Sequence, residues 1–591
     1  MAHSNTCQKC QGSFLIEERD LAFYRSMNVP EPTFCPECRL RRRLSWINMR
    51  KLYRRTTADS AKEVISMYAP DAPYQIIEDR NWWSDSFDAT AMGKPYDFSQ
   101  SFFQQFRELM ARVPLPHLHR DFTRMDHSEY CNAATGVKNC YVCMAIDECE
   151  DTYYSFTIEH VKDSIDVSFA TESELCYECT NIQTCYNVRY STDCEHCNDL
   201  TLCRDCISCT SCIGCVNLRN ATYCIFNQQY SKEEFEQRHA AMRLDTRDGL
   251  EEAQQKSKEF FATQPRRFRH DTNNESVSGD YIYRAKNVHN AYAVNNSEDC
   301  RYVHFLRASN VGAKNTDSYD WSLFGIGSQR VIDSAWCGLQ CNTIRFSIWN
   351  YYAHDLQYCL GCHSSNDLFG CVGLRRKNYC ILNVPYTKDE YETLVPKIIA
   401  HMREVPYVDE QGITYRYGEF FPTELSPFAY NETLAQDYLP YAKDEALEHG
   451  FSWKESTNEQ ISFDVHWRDV PPIDELEDAS SKRAIMCRAY DENPIKALEH
   501  NCTRVFRLIS QEIAFYKNHN IPPPTFCHNS RHHQRMKKRS PITKSWIRAC
   551  MCTEPQHSPH AGKTCNESFA TSYDPALPDM IYCEKCYSAL F

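Results

Sequence analysis

The chain has 591 residues, enough for several domains, and its 42% hydrophobic and 24% charged content is that of a globular protein. A net charge of −14 argues against a protein that coats nucleic acid over its whole surface, and no apolar run approaches the ~20 residues of a membrane span. Residues 1–7 hold no apolar stretch, so no signal peptide is expected; in a cytoplasmic chain, 34 cysteines mean metal ligands and buried thiols, not disulfides.

Residues 1–55 carry Cys7-Gln-Lys-Cys10 and, after a 24-residue spacer, Cys35-Pro-Glu-Cys38. Paired C-x-x-C knuckles supply four thiolates at the spacing of a closed tetrahedral zinc site. The set Cys7, Cys10, Phe14, Phe23-Tyr24 and Cys35-Pro-Glu-Cys38-Arg39 resembles a family of small zinc-binding ribbon domains. The resemblance implies zinc binding and no activity. Behind the last ligand runs a basic stretch without an acidic residue, with Arg39, Arg41, Arg42, Arg43, Arg50, Lys51, Arg54 and Arg55 interleaved with Trp46 and Tyr53. Such a tail suits phosphate contacts, so RNA or a nucleoprotein is the leading expected partner and a protein partner follows closely. The bland alternative is a solvated helix lying on the acidic remainder of the chain.

Residues 56–130 read as a helical and irregular connector, with a helix expected across 98–113 ahead of Pro114. His117, His119, His127 and Asp126 lie close together, but a cap on the following repeat is preferred to a metal site. Residues 131–229 form the organising stretch, because cysteine recurs every nine residues: Cys131, Cys140, Cys149, then Cys176, Cys185, Cys194, Cys203 and Cys212. A second series, three residues later, includes Cys143, Cys179, Cys197, Cys206, Cys215 and Cys224. Ile158 and Val167 fill slots of the first series and Val161 and Val188 slots of the second; such exchange marks a buried apolar position, since aliphatic side chains ligate nothing. Two nine-residue units make a coil of about 18 residues, the size of a parallel β-solenoid coil. Residues 281–403 repeat the pattern: Gly214-Cys215-Val216 with Tyr223-Cys224-Ile225 recurs as Gly370-Cys371-Val372 with Tyr379-Cys380-Ile381. The expected fold is therefore mainly β, two tandem cysteine-rich parallel β-solenoids flanked by small zinc ribbons. Ser231-Lys-Glu-Glu234 and Thr387-Lys-Asp-Glu390 should start the helices that cap them, the first opening a helical linker over 230–280.

Residues 404–480 read as an irregular arm with an acidic linker. Residues 481–548 repeat the opening with eroded ligands: Phe14 to Cys35 corresponds to Phe506 to Cys527, and Cys10 to Cys502, whereas Cys7 falls on Glu499 and Cys38 on Ser530. An emptied ribbon and a site completed by Cys487, His500, His528 or His532 are both open. A basic tail, Arg531 to Arg539, follows again. Residues 549–591 hold a last ribbon, with Cys552, Cys565, Cys583 and Cys586 as the expected ligands and Cys550 and His560 as competitors for the first place. About two Zn²⁺ ions per chain are expected from these counts.

Cys203, Cys206, Cys209, Cys212 and Cys215 stand three apart, but the C-x₃-C-P close of a ferredoxin run is absent, and core slots account for all but Cys209. No phosphate loop, dinucleotide fingerprint or nucleophile elbow occurs. The chain as a whole resembles long bacterial proteins carrying these ribbons, some described as CoA-transferases, but no βαβ periodicity accompanies that description here. A non-catalytic zinc-binding scaffold is the resulting expectation. The alternatives are an enzyme, carbohydrate-active or CoA-transferase-like, working in a groove on the solenoid flank, and an iron–sulfur or metal-handling protein.

Overall fold

The computed structural model describes residues 2–306, 313–455, 462–554, 560 and 564–590. Among them the chain is mainly β: a 14-stranded and an 11-stranded sheet, both built almost wholly of parallel pairs, with helices along their edges. In the first sheet each strand pairs with the one twelve residues further on, as in Met144↔Phe156, Ile158↔Ala170, Leu200↔Cys212 and Cys212↔Cys224. This corrects the eighteen-residue coil expected from the sequence.

The reason is a period of three. Asn181, Thr184, Asn187, Tyr190, Asp193, His196 and Asp199 all take left-handed backbone conformation, with φ between +50° and +56°. The residue after each of them, Ile182, Cys185, Val188, Ser191, Cys194, Cys197 and Leu200, is buried. Nine and twelve are both multiples of three, so cysteines nine apart both land inside without being stacked on one another. Cys209, an extra by the nine-residue count, is a regular interior position. Non-glycine residues adopt this conformation reluctantly, Asn and Asp least so. Here they also bond along the stack: Asn181 Nδ2 donates to Asp193 Oδ1 at 3.0 Å and Asn187 Nδ2 to Asp199 Oδ1 at 2.7 Å.

Cysteine shares its interior slots with serine as well as with aliphatic residues. Ser164 Oγ accepts the Cys176 N–H at 3.0 Å, Ser173 Oγ that of Cys185 at 3.1 Å, and Cys197 Sγ that of Cys209 at 3.5 Å. At these corners the inward side chain satisfies a backbone donor that the ladder leaves over. A small side chain that is apolar in bulk and able to accept fits both demands, which is a reason for so many buried thiols.

The second sheet keeps the twelve-residue step in Asn342↔His354 and Leu356↔Leu368, widens to thirteen in Gln329↔Asn342, and reaches eighteen in Ser297↔Asn315. Each stack ends alike. A short antiparallel return, Gln228–Gln229 or Val384–Pro385, covers the last strand, and a helix follows, Lys232–Ala241 or Lys388–Glu404. Phe235 joins Ile213 and Ile225, and Tyr391 meets Tyr379, so each helix seals an open edge. The connector helix, Phe102–Arg112, buries Phe102, Phe103 and Phe106 against Tyr358 and Phe421 of the second half.

Candidate metal centres

At the N-terminus the hairpin His3–Thr6 with Ser13–Ile16 and the helix Pro36–Leu44 place four thiols. Cys7 follows the first strand directly, its N–H bonding Gly12 O at 2.9 Å. Cys35 caps the helix in extended conformation with Pro36 at the first helical position, and Cys38 lies one turn on. The sulfurs of Cys7, Cys10, Cys35 and Cys38 all lie within 4.8 Å of one another. Hydrogen bonds from Cys35 and Cys38 hold the Cys7 thiol far below its ordinary value, while the same contacts push Cys38 up. One thiolate is thus stabilised by its neighbours, and a cation is what would let the others ionise. The four sulfurs can bind a metal ion.

The C-terminal unit rebuilds this geometry with a correction to the expected set. Its hairpin pairs Trp546–Ala549 with Ser568–Thr571, and its helix is Glu584–Ser588. The thiol directly after the first strand is Cys550, whose N–H bonds Glu567 O at 2.9 Å. Cys550, Cys565, Cys583 and Cys586 form the group of four, Cys550 standing where Cys552 was expected. Strand register decides this: Cys550 holds the position of Cys7, and Cys552 is two residues beyond it. Cys552 meets His560 and Cys586 in a group of three that shares Cys586 with the tetrad, with His560 Nε2 3.3 Å from the Cys552 sulfur. Burial raises Cys550 to about 11, and the Cys583 N–H points at its sulfur at 3.2 Å. This unit sits between the two stacks: Ile581–Tyr582 pairs with Arg266–Arg267, and Tyr587 Oη donates to Asn217 Oδ1 at 3.0 Å.

The basic stretch is not a surface. Arg39, Arg41, Arg42 and Arg43 are all buried, the last completely. Arg39 and Arg43 meet Asp320 at 2.9 and 3.3 Å, Arg43 and Arg42 meet Asp333 at 2.7 and 3.1 Å, and Arg42 also reaches Glu419 at 3.4 Å. Arg41 donates to Leu439 O and Tyr430 Oη, both at 2.5 Å. Arg50, half-buried, donates to Asn529, Arg55 donates to Tyr74 O, and Lys51 is half-buried. Of the eight residues expected to contact nucleic acid, only Arg54 is exposed, and it pairs with Glu63 at 2.7 Å. The stretch clamps the N-terminal unit onto the second stack. Its phosphate-contacting role is withdrawn for the four buried arginines, because their charges are already met by carboxylates of the same chain.

The later basic tail does the same on the first stack. Arg531 and Arg535 meet Asp166 at 2.7 and 2.8 Å, and Arg535 Nε donates to Ser168 Oγ at 3.1 Å, just as Arg43 Nε donates to Ser322 Oγ at 3.3 Å. Asp166-Val-Ser168 and Asp320-Trp-Ser322 are therefore equivalent seats, one on each stack. No helix among the described residues is long and apolar enough to cross a membrane. No protein-family model matches the chain, and no curated protein matches it.

Proposed function

We propose that the protein is a non-catalytic, zinc-binding scaffold: two tandem β-solenoids of twelve-residue coil, held in place by zinc ribbons at both ends. The observation that carries this reading is the double use of the N-terminal ribbon. Its thiols gather around one point, and Arg39, Arg42 and Arg43 of its helix reach Asp320 and Asp333 of the second stack, so metal binding and stack placement are coupled through one short helix. Tetrads of thiols on hairpin and helix favour Zn²⁺, which takes four sulfur ligands tetrahedrally and does no redox chemistry. In this reading the cysteines inside the stacks are packing groups and the terminal cysteines are ligands. Because the basic stretch is engaged within the chain, the surface offered to a partner is that of the solenoids, and a protein is the partner it favours over RNA.

The test is elemental analysis of full-length protein purified without oxygen, with a visible spectrum alongside. Zinc is expected at no fewer than two ions per chain and iron at none. Chelation should raise hydrogen exchange in residues 2–55 and 546–590 while the sheets stay protected. An iron charge-transfer band, or a metal count left unchanged when the terminal cysteines are replaced by alanine, would overturn the reading.

A further inference from the structure

A third cysteine cluster lies where the sequence shows an eroded ribbon. Ile485–Met486 pairs with Val505–Phe506, and Cys487 follows the first strand directly, its N–H bonding Arg504 O at 2.8 Å. That is the place of Cys7 and Cys550. Fourteen residues, including the helices Arg488–Glu492 and Pro494–Glu499, separate Cys487 from Cys502, as many as separate Cys550 from Cys565. Cys502 stands four residues before Phe506, as Cys10 stands before Phe14 and Cys565 before Phe569. Cys527 caps the helix His528–Lys537 with φ −64° and ψ 160°, the values of Cys35. One turn on, at the position of Cys38 and Cys586, is Ser530.

The sulfurs of Cys487, Cys502 and Cys527 lie within 4.8 Å of one another and all three residues are buried. Ser530 Oγ is 3.3 Å from Cys527 Sγ and 3.7 Å from Cys487 Sγ, which places one oxygen beside the three sulfurs. Two backbone donors point at the sulfurs: Cys527 N–H at Cys487 Sγ, 3.2 Å, and Arg504 N–H at Cys502 Sγ, 3.4 Å. Such donors suit thiolates, and three adjoining thiolates are stable only around a cation. Simple packing accounts poorly for the arrangement. The stack thiols alternate with valine and serine along a ladder, whereas these three come from separate segments and meet at one point.

We propose that Cys487, Cys502 and Cys527 hold a third metal ion, a thiophilic divalent cation of the Zn²⁺ class, with the Ser530 hydroxyl oxygen as its fourth ligand. The proposal goes beyond the two terminal tetrads and does not need them to be occupied. Binding displaces the thiol protons to solvent and leaves the cluster three thiolates around one dication. An S₃O set binds more weakly than S₄ and leaves its oxygen position the exchangeable one.

Metal equivalents counted on the full chain, with Cys10→Ala, Cys502→Ala and Cys565→Ala each replacing one ligand, test this. Three equivalents in the natural protein, falling to two in each variant, are expected. Two equivalents that Cys502→Ala leaves unchanged would overturn the third site while sparing the terminal ones. One equivalent lost only in Cys502→Ala would support the third site and overturn the reading of the tetrads. No metal at all would overturn both. Should Cys502→Ala fail to fold, Ser530→Cys decides on Co²⁺-loaded protein. An unchanged metal count with one further Co–S bond's share of near-ultraviolet absorbance supports the site, and a gain of a whole equivalent shows that the natural cluster was empty.

Discussion

The N-terminal unit and the unit built around Cys527 seat the same helix on the same strand motif, yet they differ in their ligands. Arg39 and Arg43 meet Asp320 as Arg531 and Arg535 meet Asp166, and Ser322 and Ser168 accept from the second arginine of each pair. The acidic residue behind the helix recurs but its partner does not: Asp20 receives Arg301 of the second stack at 2.6 Å, whereas Glu512, its counterpart, receives the unit's own Arg531 at 3.4 Å. Around this fixed seat the thiols have drifted, Cys38 becoming Ser530 and the Cys7–Cys10 step growing from three residues to fifteen. The buried ion pairs, more than the ligand set, define how a unit meets a stack.

The sharpest way to break the comparison is to remove one seat. Asp166→Ala leaves two buried guanidiniums short of a partner on the first stack, and Asp320→Ala does so on the second. Deleting one partner of a buried charge pair typically destabilises by about 3–5 kcal/mol. Chemical denaturation should show a loss of that order for each. Hydrogen exchange should place it in residues 485–540 for Asp166→Ala and in residues 2–55 for Asp320→Ala. Loss spread over both units by either substitution would mean that the seats are not independent. Neither seat is left without a carboxylate: Asp333 still faces Arg43 at 2.7 Å, and Glu512 and Glu178 still face Arg531 and Arg535 at 3.4 and 3.5 Å.

The stacks should also part company in acid. Burial holds His119, His304 and His363, all packed at the second stack, to about 3. In an unfolded chain each takes its proton near pH 6.5. Between those values the unfolded state binds more protons, so stability rises with pH across the window and is lost as pH falls through it. Across the whole window the sum is on the order of 10 kcal/mol. His270, facing Asp193 and Asp205 of the first stack and Asp280, has the opposite sign. Burial opposes its charge, but Tyr573 and these carboxylates raise it well above its ordinary value. Its contribution is present below pH 6.5 and is lost as pH rises through the folded value. His528 and His532, held by burial against Tyr154 and Phe156 of the first stack to about 4 and about 3, share the sign of the second stack's histidines, so His270 is what separates the stacks. Exchange measured at pH 7 and pH 4.5 should show the second sheet losing more protection on acidification, and an equal or larger loss in the first would refute this assignment.

Much of this was legible from spacing, and what was not has physical reasons. Cys7, Cys10, Cys35 and Cys38 announce themselves because each pair sits within one tight turn. Cys487 and Cys550 do not, because two short helices in the one case and fourteen residues of sequence in the other separate them from Cys502 and Cys565. Only the strand register, Ile485↔Phe506 and Arg548↔Phe569, puts them opposite their partners. The parallel stacking was visible in the exchange of Cys with Ile and Val, but its step was misjudged. The turn at every third residue is carried mostly by Asn, Asp, Thr and Tyr in left-handed conformation, and by glycine at only a few steps such as Gly136, Gly214 and Gly370, too few to mark the period. The buried arginines could not be foreseen from the sequence, since Asp320 and Asp333 lie 277 and 290 residues from Arg43.

The smallest expected difference concerns the closing helices. At the second stack Thr387 Oγ accepts from the Glu390 N–H at 3.3 Å, and the Glu390 carboxylate accepts from the Thr387 N–H at 2.9 Å, a reciprocal cap. At the first, Ser231 Oγ accepts from the Glu234 N–H at 3.2 Å, without a return bond to the Ser231 N–H. Thr387→Ala should therefore destabilise by about 1 kcal/mol and Ser231→Ala by about 0.5 kcal/mol, as read by denaturant midpoints at constant slope. The comparison depends on what anchors each helix. Lys232–Ala241 buries Phe235 alone, whereas Lys388–Glu404 buries Tyr391, Val395, Ile398, His401 and Met402. If packing rather than capping sets the stability of the seals, the order reverses: the lightly packed first helix frays with its cap removed, and the second tolerates the loss. Exchange at Thr222–Ile225 and Asn378–Ile381, the last strands beneath the two helices, distinguishes these outcomes.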